Sequence, residues 1–171
     1  MSERNLLGEL ARAKLEGDVD YVVAALRDPE TRGLAAKYAA EFGARDAIPA
    51  LLTMLDAQDE YARSAAARAL GKLRALEALP ELARLARADA VPVVRAWAAG
   101  ALGELGGADA VSVLTELLPE PNWVVRRAAV FALGIAGDTS TLPLLNEQRK
   151  RERWTRRRVY REARRRLSNK R

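Results

Sequence analysis

The chain has 171 residues, of which 49% are hydrophobic and 30% are charged, and it contains neither cysteine nor histidine. This composition predicts a globular protein. The lack of cysteine excludes disulfides, thiol nucleophiles and thiolate metal sites, and the lack of histidine excludes the commonest general base and metal ligand. The start, MSERNLLGEL, does not read as a signal peptide, and no apolar run reaches the ~18 residues of a membrane span. We therefore expect a cytoplasmic protein.

The net charge of +6 is distributed unevenly along the chain. Residues 149–171 contain 13 Lys and Arg but only two Glu, whereas residues 1–148 contain 16 basic and 21 acidic residues. The body of the protein is therefore mildly acidic. The sequence pI near 10.0 describes the C-terminal segment and does not indicate a basic domain.

The sequence repeats itself with a period of 31 or 32 residues. An arginine followed by an alanine-rich phrase recurs with this period at Arg32, Arg63, Arg95 and Arg126. A fifth copy is expected at Arg157, 31 residues after Arg126. Self-similarity at such a period is typical of repeat proteins, in which each unit forms one small structural motif.

In chain order, we predict a capping helix in residues 1–17, about four repeats in residues 18–140, and a degenerate repeat with an arginine-rich helix in residues 141–171. Each repeat is predicted to form two helices, of which the first is short and begins with an acidic residue. The second helices end near a glycine, as is common just past a helix: Gly43, Gly106 and Gly137. No segment has the alternation of a strand, so we expect a single all-α domain.

The repeated phrases resemble those of a known family. The form xxVRxxAAxALGxxG is approximated by EYARSAAARALGKL, VPVVRAWAAGALGELG and NWVVRRAAVFALGIAG, and a phrase like xDAxPxLxxLL follows. Across residues 18–138 this is similar to short HEAT-like repeats, also called PBS-lyase HEAT-like repeats. The resemblance implies an α-solenoid, a right-handed superhelix of antiparallel helix pairs. Proteins of this kind are scaffolds with many different partners.

The resemblance also implies a structural role for the repeated arginines. In the family, this arginine bonds to an acidic residue or a carbonyl in a neighbouring turn, so that a ladder links the repeats. The predicted ladder residues are Arg32, Arg63, Arg95 and Arg126, with Asp46, Glu77 and Asp109 as the acidic partners.

The second helices line the concave side of the superhelix in this family. Positions −3, +1, +5 and +9 from the repeated arginine then trace a stripe, which in the fourth repeat is mostly large and apolar: Trp123, Arg127, Phe131 and Ile135. Aromatic residues and arginine on an uncovered face are typical of an interface. We predict a site for a protein or peptide partner formed by Tyr61, Arg68, Lys72, Trp97, Gly100, Trp123, Arg127, Phe131 and Ile135. The alternatives are that Trp123 or Phe131 packs against the following helix pair, or that Trp97 lies in the core.

The basic C-terminal segment has a pattern of its own. A spacing of four relates Thr155, Val159, Ala163 and Leu167, which predicts a helix with a narrow apolar stripe. Such a helix could be the polar cap that a repeat array needs over its last apolar face. Its arginines could also bind nucleic acid or the acidic surface of a protein partner. The candidate polyanion-binding residues are Arg153, Arg156, Arg157, Arg158, Arg161, Arg164 and Arg165.

Motifs for catalysis are missing from the sequence. It has no Walker loop, no GxGxxG, no nucleophile elbow and no histidine metal motif, and its carboxylates fall mainly at helix starts, where capping explains them. Some HEAT-like proteins are DNA glycosylases or paired bilin-lyase subunits, but this chain is short for a glycosylase and its stripes lack a suitable Asp. We therefore predict a non-catalytic scaffold for a protein or peptide, without cofactor, metal or membrane. The first alternative is a nucleic-acid-binding module, and the second is a subunit of a lyase or of a DNA glycosylase.

Overall fold

The computed structural model describes residues 5–137, 139–152 and 156–169. Within these ranges the chain forms eleven α-helices joined by short turns, some of them 3₁₀, and no strand. The helices are α1 Leu6–Glu16, α2 Val19–Ala24, α3 Arg32–Phe42, α4 Ile48–Met54, α5 Glu60–Lys72, α6 Leu79–Ala88, α7 Pro92–Leu105, α8 Gly107–Glu116, α9 Trp123–Ala136, α10 Leu142–Arg151 and α11 Arg157–Ser168. The predicted all-α class is confirmed.

The helices fall into two compact units, Met1–Ala75 and Leu76–Arg171. Unit 1 contains α1 to α5, and its second helices α3 and α5 pack on each other while α2 and α4 cover them. Unit 2 contains α6 to α11, and its second helices form a row in which α7 packs on α9 and α9 packs on α11. Both units therefore build their cores from consecutive second helices, flanked by shorter first helices.

The ends of the second helices follow from local side-chain chemistry. The Asp59 carboxylate caps the start of α5 by accepting hydrogen bonds from the amides of Tyr61 and Ala62, each at 3.0 Å. Asn122 caps α9 in the same way, accepting from the Val124 amide at 2.9 Å. The helices α3, α7 and α9 end one residue before a glycine, as predicted. Gly43 after α3 has a φ of 68°, a left-handed conformation that glycine adopts without strain.

Small residues allow the second helices of unit 2 to approach closely. A Cβ added to Gly103 of α7 would lie 2.7 Å from the Cβ of Ala132 on α9. A Cβ added to Gly134 of α9 would lie 2.8 Å from the Cα of Ala163 on α11. Larger residues at either glycine would force the helices apart, so the alanine- and glycine-rich phrases are explained by helix packing.

The inward side of α9 is apolar and buried. The side chains of Val125, Ala129, Ala132 and Leu133 are fully buried, and Ala136 at the C-terminal end is half-buried. These positions recur at the helical period, so they form one apolar stripe.

The apolar stripe of α11 differs from the predicted one. The helix buries Tyr160, Ala163 and Leu167, whereas Val159 is half-buried and Thr155 lies outside the described residues. A strict spacing of four drifts by about 40° at each step on a helix of 3.6 residues per turn. The buried residues instead follow alternating spacings of three and four, which keep them on one side.

Candidate partner-binding face and basic helix

The repeated arginines of unit 2 connect consecutive turns. Nη1 of Arg95 donates to the carbonyl oxygen of Asp89 in the preceding turn at 2.8 Å, and Nη2 lies 3.0 Å from Oε1 of Glu120 in the next repeat. Arg126 repeats this arrangement, with Nη1 donating to the Glu120 carbonyl at 2.6 Å and Nε to Oε1 of Glu152 at 2.8 Å. Each arginine thus caps its own turn and holds a carboxylate of the following one.

Related contacts occur at the other repeated arginines. Nη1 of Arg63 donates to the carbonyls of Ala57 and Gln58, both at 2.8 Å. Nε of Arg157, where a fifth copy is expected, donates to the Glu152 carbonyl at 3.1 Å. The helix pair α10–α11 therefore has the same internal arrangement as the earlier repeats.

The predicted acidic partners of the ladder require correction. Arg32, Arg95 and Arg126 reach Asp59, Glu120 and Glu152, and not the expected set of Asp46, Glu77 and Asp109. The expected acids lie just after the C-terminal ends of second helices. The repeated arginines lie near the N-terminal ends of second helices. A helix of 11 to 14 residues separates these ends by about 16–21 Å, which is too far for an ion pair.

The Asp59 carboxylate is held in its charged form. Partial burial on its own would raise the pKa of Asp59, but the amide hydrogen bonds from Tyr61 and Ala62 and the nearby Arg32 outweigh this effect and lower it. Asp59 thereby combines two roles, as the cap of α5 and as the carboxylate nearest Arg32, 3.5 Å away.

A buried polar cluster connects α9 with α11. Glu152, which pairs with Arg126, is 9% exposed, and the Tyr160 side chain beside them is fully buried. Burial raises the pKa of Tyr160 to about 12, and the negative charge of Glu152 adds to this while the positive charge of Arg126 opposes it. The tyrosine therefore stays neutral at all ordinary pH values.

Unit 2 exposes four large apolar side chains on two adjacent second helices. Val93 and Trp97 on α7 are 51% and 42% exposed, and Val124 and Phe131 on α9 are 49% and 42% exposed. Because α7 packs along α9, we call these four residues the apolar patch. Trp97 is too exposed to be a core residue, so the alternative that Trp97 lies in the core is wrong.

The remaining predicted residues of these two helices lie near the apolar patch. Gly100 on α7 and Ile135 on α9 are half-buried, and the Arg127 side chain is exposed. The Phe131 ring is partly covered by the guanidinium of Arg166 from α11, which lies 4.5 Å from the ring centroid. Phe131 thus contacts the following helix through a cation and still keeps an exposed edge.

Trp123 does not share this exposed face, in contrast to the predicted stripe. It is half-buried, and its ring lies 5.6 Å from the guanidinium carbon of Arg126 and 4.8 Å from that of Arg156. Position −3 is rotated by about 100° from position −2 on a helix. Val124 at position −2 therefore lies on the exposed face that was predicted for Trp123. Val93 is the residue at position −2 of α7 and lies on the corresponding face of that helix. On each helix the valine lies seven positions before the residue at position +5, which is Phe131 on α9 and Gly100 on α7. Seven residues make two helical turns, and this spacing could have identified both valines.

The predicted site residues of unit 1 lie on α5. Tyr61, Arg68 and Lys72 all have exposed side chains. The Tyr61 ring lies directly against Gly33 of α3, where a Cβ would clash with it. The exposed side of α5 therefore combines one aromatic residue with two cations.

The arginines predicted to bind polyanions fall into distinct groups. Arg153 lies outside the described residues. Arg156 contacts the Trp123 ring and Arg157 binds backbone carbonyls, so both serve internal packing, and Arg164 is half-buried. The exposed group consists of Arg158, Arg161 and Arg165 on one side of α11. Of these, Arg165 pairs with Glu162 at 3.0 Å, whereas Arg158 and Arg161 form no ion pair with another described residue.

The described ranges contain no group of three or more acidic side chains placed to hold a metal ion. Among the same residues, every helix is too short or too polar to cross a membrane.

Consecutive helix pairs with an arginine at the same place in each define a helical-repeat protein of the α-solenoid class. The family model for HEAT repeats matches residues 19–103 and 87–164, and the chain therefore belongs to the HEAT repeat family. The resemblance stated from the sequence is confirmed.

A solved structure of similar fold is the complex of CpcE and CpcF of phycocyanin lyase from Nostoc sp. PCC7120. The match has 26% sequence identity and a TM-score of 0.65, and it covers 88% of this chain and 65% of that chain. This chain thus spans slightly less than two thirds of the length of the protein it matches. Among curated proteins, none matches the chain.

Proposed function

We propose that this HEAT repeat protein is a non-catalytic interaction scaffold that binds a protein or peptide through the apolar patch. The observation that carries the proposal is the exposure of Val93, Trp97, Val124 and Phe131 on adjacent helices. Covering apolar surface is favourable by about 25 cal/mol per Å². An exposed patch with aromatic residues and a nearby arginine, here Arg127, is typical of the centre of an interface.

The basic helix α11 supplies a second, electrostatic contact in this proposal. Arg158, Arg161 and Arg165 project from one side of the helix, and their charges would attract an acidic partner surface. Exposed charges of this kind raise association rates and set orientation more than they add affinity. The contact is therefore expected to weaken as salt concentration rises.

The similar solved structure supports a protein partner, since it is a complex of two proteins. That complex belongs to a lyase, so the absence of catalysis here is part of the proposal. Its support is the use of carboxylates in the fold, because Asp59 caps a helix and Glu120 and Glu152 hold the repeated arginines. Carboxylates committed in this way are poor candidates for acid–base chemistry.

The proposal is tested by affinity capture from the source cell with the wild-type chain and with Phe131→Ser, each with and without nuclease treatment. We expect a protein that the wild type retains after nuclease treatment and that Phe131→Ser loses. The matched control is Leu15→Ser, which removes an apolar side chain that is 88% exposed on α1 of unit 1 and is not part of the patch. Retention of the same protein by Phe131→Ser would contradict the proposal.

Nucleic-acid binding is a second candidate function, favoured by Arg158 and Arg161 of α11, which are exposed and form no ion pair with another described residue. The test is fluorescence anisotropy with labelled DNA and RNA at two salt concentrations, comparing the wild type with the double variant Arg158→Gln, Arg161→Gln. A nucleic-acid contact predicts that log affinity falls with log salt and that the slope decreases by about 0.7–0.9 for each phosphate contact removed. No binding at low salt would remove this candidate.

A further inference from the structure

Gly100 occupies the interior of α7 without an evident packing reason. The neighbouring helical glycines are explained by contacts, since a Cβ on Gly103 would meet Ala132 and a Cβ on Gly134 would meet Ala163. A Cβ on Gly100 would meet nothing within 4 Å. Glycine inside a helix is destabilising relative to alanine, because it loses more backbone freedom on folding. The fold of this chain therefore does not require Gly100, and alanine there would stabilise it.

Gly100 lies within the apolar patch. It follows Trp97 by three positions and Val93 by seven, so all three share one side of α7. It is also the counterpart of Phe131, because each residue stands five positions after the repeated arginine of its helix. Where α9 presents a phenyl ring, α7 presents no side chain. Gly100 thus leaves an open position on the surface, three residues after Trp97 on α7 and next to α9, and we call this position the depression.

The charge beside this depression is positive. On α9, Arg126 is paired with Glu152, and Arg127 is exposed. From α11, the Arg166 guanidinium covers part of Phe131. The carboxylate of α11, Glu162, is already paired with Arg165 and Arg166 at 3.0 and 3.1 Å. Helix α7 contributes Glu104 at the far end of the stripe. On the side of α9 and α11, the arginine side chains therefore outnumber the carboxylates.

We infer that the depression at Gly100 receives a large apolar side chain from an acidic amphipathic helix of a partner protein. This inference rests on the proposed function and names the chemistry of the partner. An amphipathic helix suits a groove between two packed helices, because its side chains at i, i+4 and i+7 form one apolar row. The carboxylates flanking that row would meet Arg127.

The first test uses two labelled synthetic peptides of about 18 residues, or five helical turns. Both carry leucines at i, i+4, i+7 and i+11, and the flanking positions are glutamate in one peptide and lysine in the other. With the full-length chain in fluorescence anisotropy, we expect the glutamate peptide to bind at least about tenfold more tightly, with an affinity that falls as salt rises. Equal binding of the two peptides, or no binding of either at millimolar concentration, would overturn the inference.

The second test fills the depression. We expect Gly100→Ala to raise the melting temperature and yet weaken the glutamate peptide about tenfold, and Gly100→Leu to weaken it further. A glycine without a binding role predicts the same rise in melting temperature with unchanged affinity. The control Ala11→Leu adds three of the four carbon atoms that Gly100→Leu adds, at an exposed position of α1, and should leave the affinity unchanged.

The third test addresses charge. Arg127→Glu should reverse the preference, so that the lysine peptide binds more tightly than the glutamate peptide. An unchanged preference would contradict the assigned orientation of the acidic flank.

Two other occupants of the depression are outcomes of the same experiments. Displacement of the peptide by duplex DNA in a manner sensitive to Gly100→Leu would assign the depression to nucleic acid. Self-association in sedimentation velocity that Gly100→Leu abolishes would assign it to a second copy of the chain. Either result would overturn the inference. If neither peptide binds but Phe131→Ser still loses a captured protein, the proposed function stands and the acidic helix is wrong.

Discussion

The helices α5 and α9 share one internal plan but differ on their exposed sides. Each has an arginine near its start that binds carbonyls of the preceding turn, and each buries a leucine seven residues later, Leu70 in α5 and Leu133 in α9. Five residues after the arginine, where both side chains are exposed, α5 has Arg68 and α9 has Phe131.

This difference separates what the repeat needs from what it leaves free. The buried positions must fit the close approach of neighbouring second helices, so they are small or aliphatic in both α5 and α9. The exposed positions contribute little to that packing, so they can change from a cation to a phenyl ring without changing the fold. Binding specificity in this protein is therefore expected to reside in positions that the repeat does not constrain.

The largest expected effect tests whether the two interiors are equivalent. Leu70→Ala and Leu133→Ala should each lower the free energy of unfolding by about 2–5 kcal/mol, because both side chains are fully buried and a cavity would remain. Urea denaturation followed by circular dichroism measures both costs. A cost below about 1 kcal/mol for only one of them would show that the shared sequence position does not reflect shared packing.

The next effect concerns the repeated arginines. Arg95→Ala should cost about 1–3 kcal/mol, since it removes a partly buried guanidinium and leaves the Asp89 carbonyl and the Glu120 carboxylate without this donor. The control Arg84→Ala removes an exposed arginine of α6 that pairs with Glu81, and it should change stability by less than about 0.5 kcal/mol. Thermal melts of both variants would decide this, and equal melting temperatures would exclude the structural role of Arg95.

Much of this internal plan could be predicted from the sequence. A period of 31 or 32 residues with glycine after the second helix determines where the helices begin and end. The buried side of α9 followed from the spacing of Val125, Ala129 and Leu133. These features are local, because each depends on residues within one or two helical turns.

The errors concern relations that depend on helix phase and direction. The sequence pattern assigns Trp123 to the exposed stripe, whereas Val124 occupies it, because one position rotates a side chain by about 100°. It also assigns Asp46, Glu77 and Asp109 to the arginines, whereas these acids follow the opposite ends of the helices. Tyr160 was missed because a tyrosine surrounded by arginines resembles a surface residue until the neighbouring helix covers it.

A smaller effect is expected at the contact between α9 and α11. The contribution of Tyr160 to the free energy of unfolding should depend on pH. The pKa of Tyr160 is about 12 in the folded chain against 10.0 for a free side chain, so the unfolded state loses its proton first as pH rises. Stability from this group is fully present below pH 10 and declines above it, by about 1 kcal/mol between pH 10 and pH 11.

Tyr160→Phe provides the control for this pH dependence. It keeps the ring and removes the titrating hydroxyl, so the alkaline decline should become shallower by that amount. Lys14, whose pKa is raised by its hydrogen bond to Glu41, adds a decline of the same sign in both proteins and cancels in the comparison. Urea midpoints at pH 9, 10 and 11 measure the difference, and identical slopes for the two proteins would refute the assignment.

The smallest expected effect returns to the two exposed positions. Arg68→Ser should change the free energy of unfolding by less than about 1 kcal/mol, and Phe131→Ser should lower it by no more than about 2 kcal/mol, because the phenyl ring is only partly buried and loses its contact with Arg166. Both variants are compared by urea denaturation under the same conditions. A cost of about 3–5 kcal/mol for Phe131→Ser, as for a core aromatic, would mean that the ring supports the fold. We expect a smaller loss of stability, which would mean that the fold does not require the phenyl ring. Binding would then explain why α9 has Phe131 at the position where α5 has Arg68.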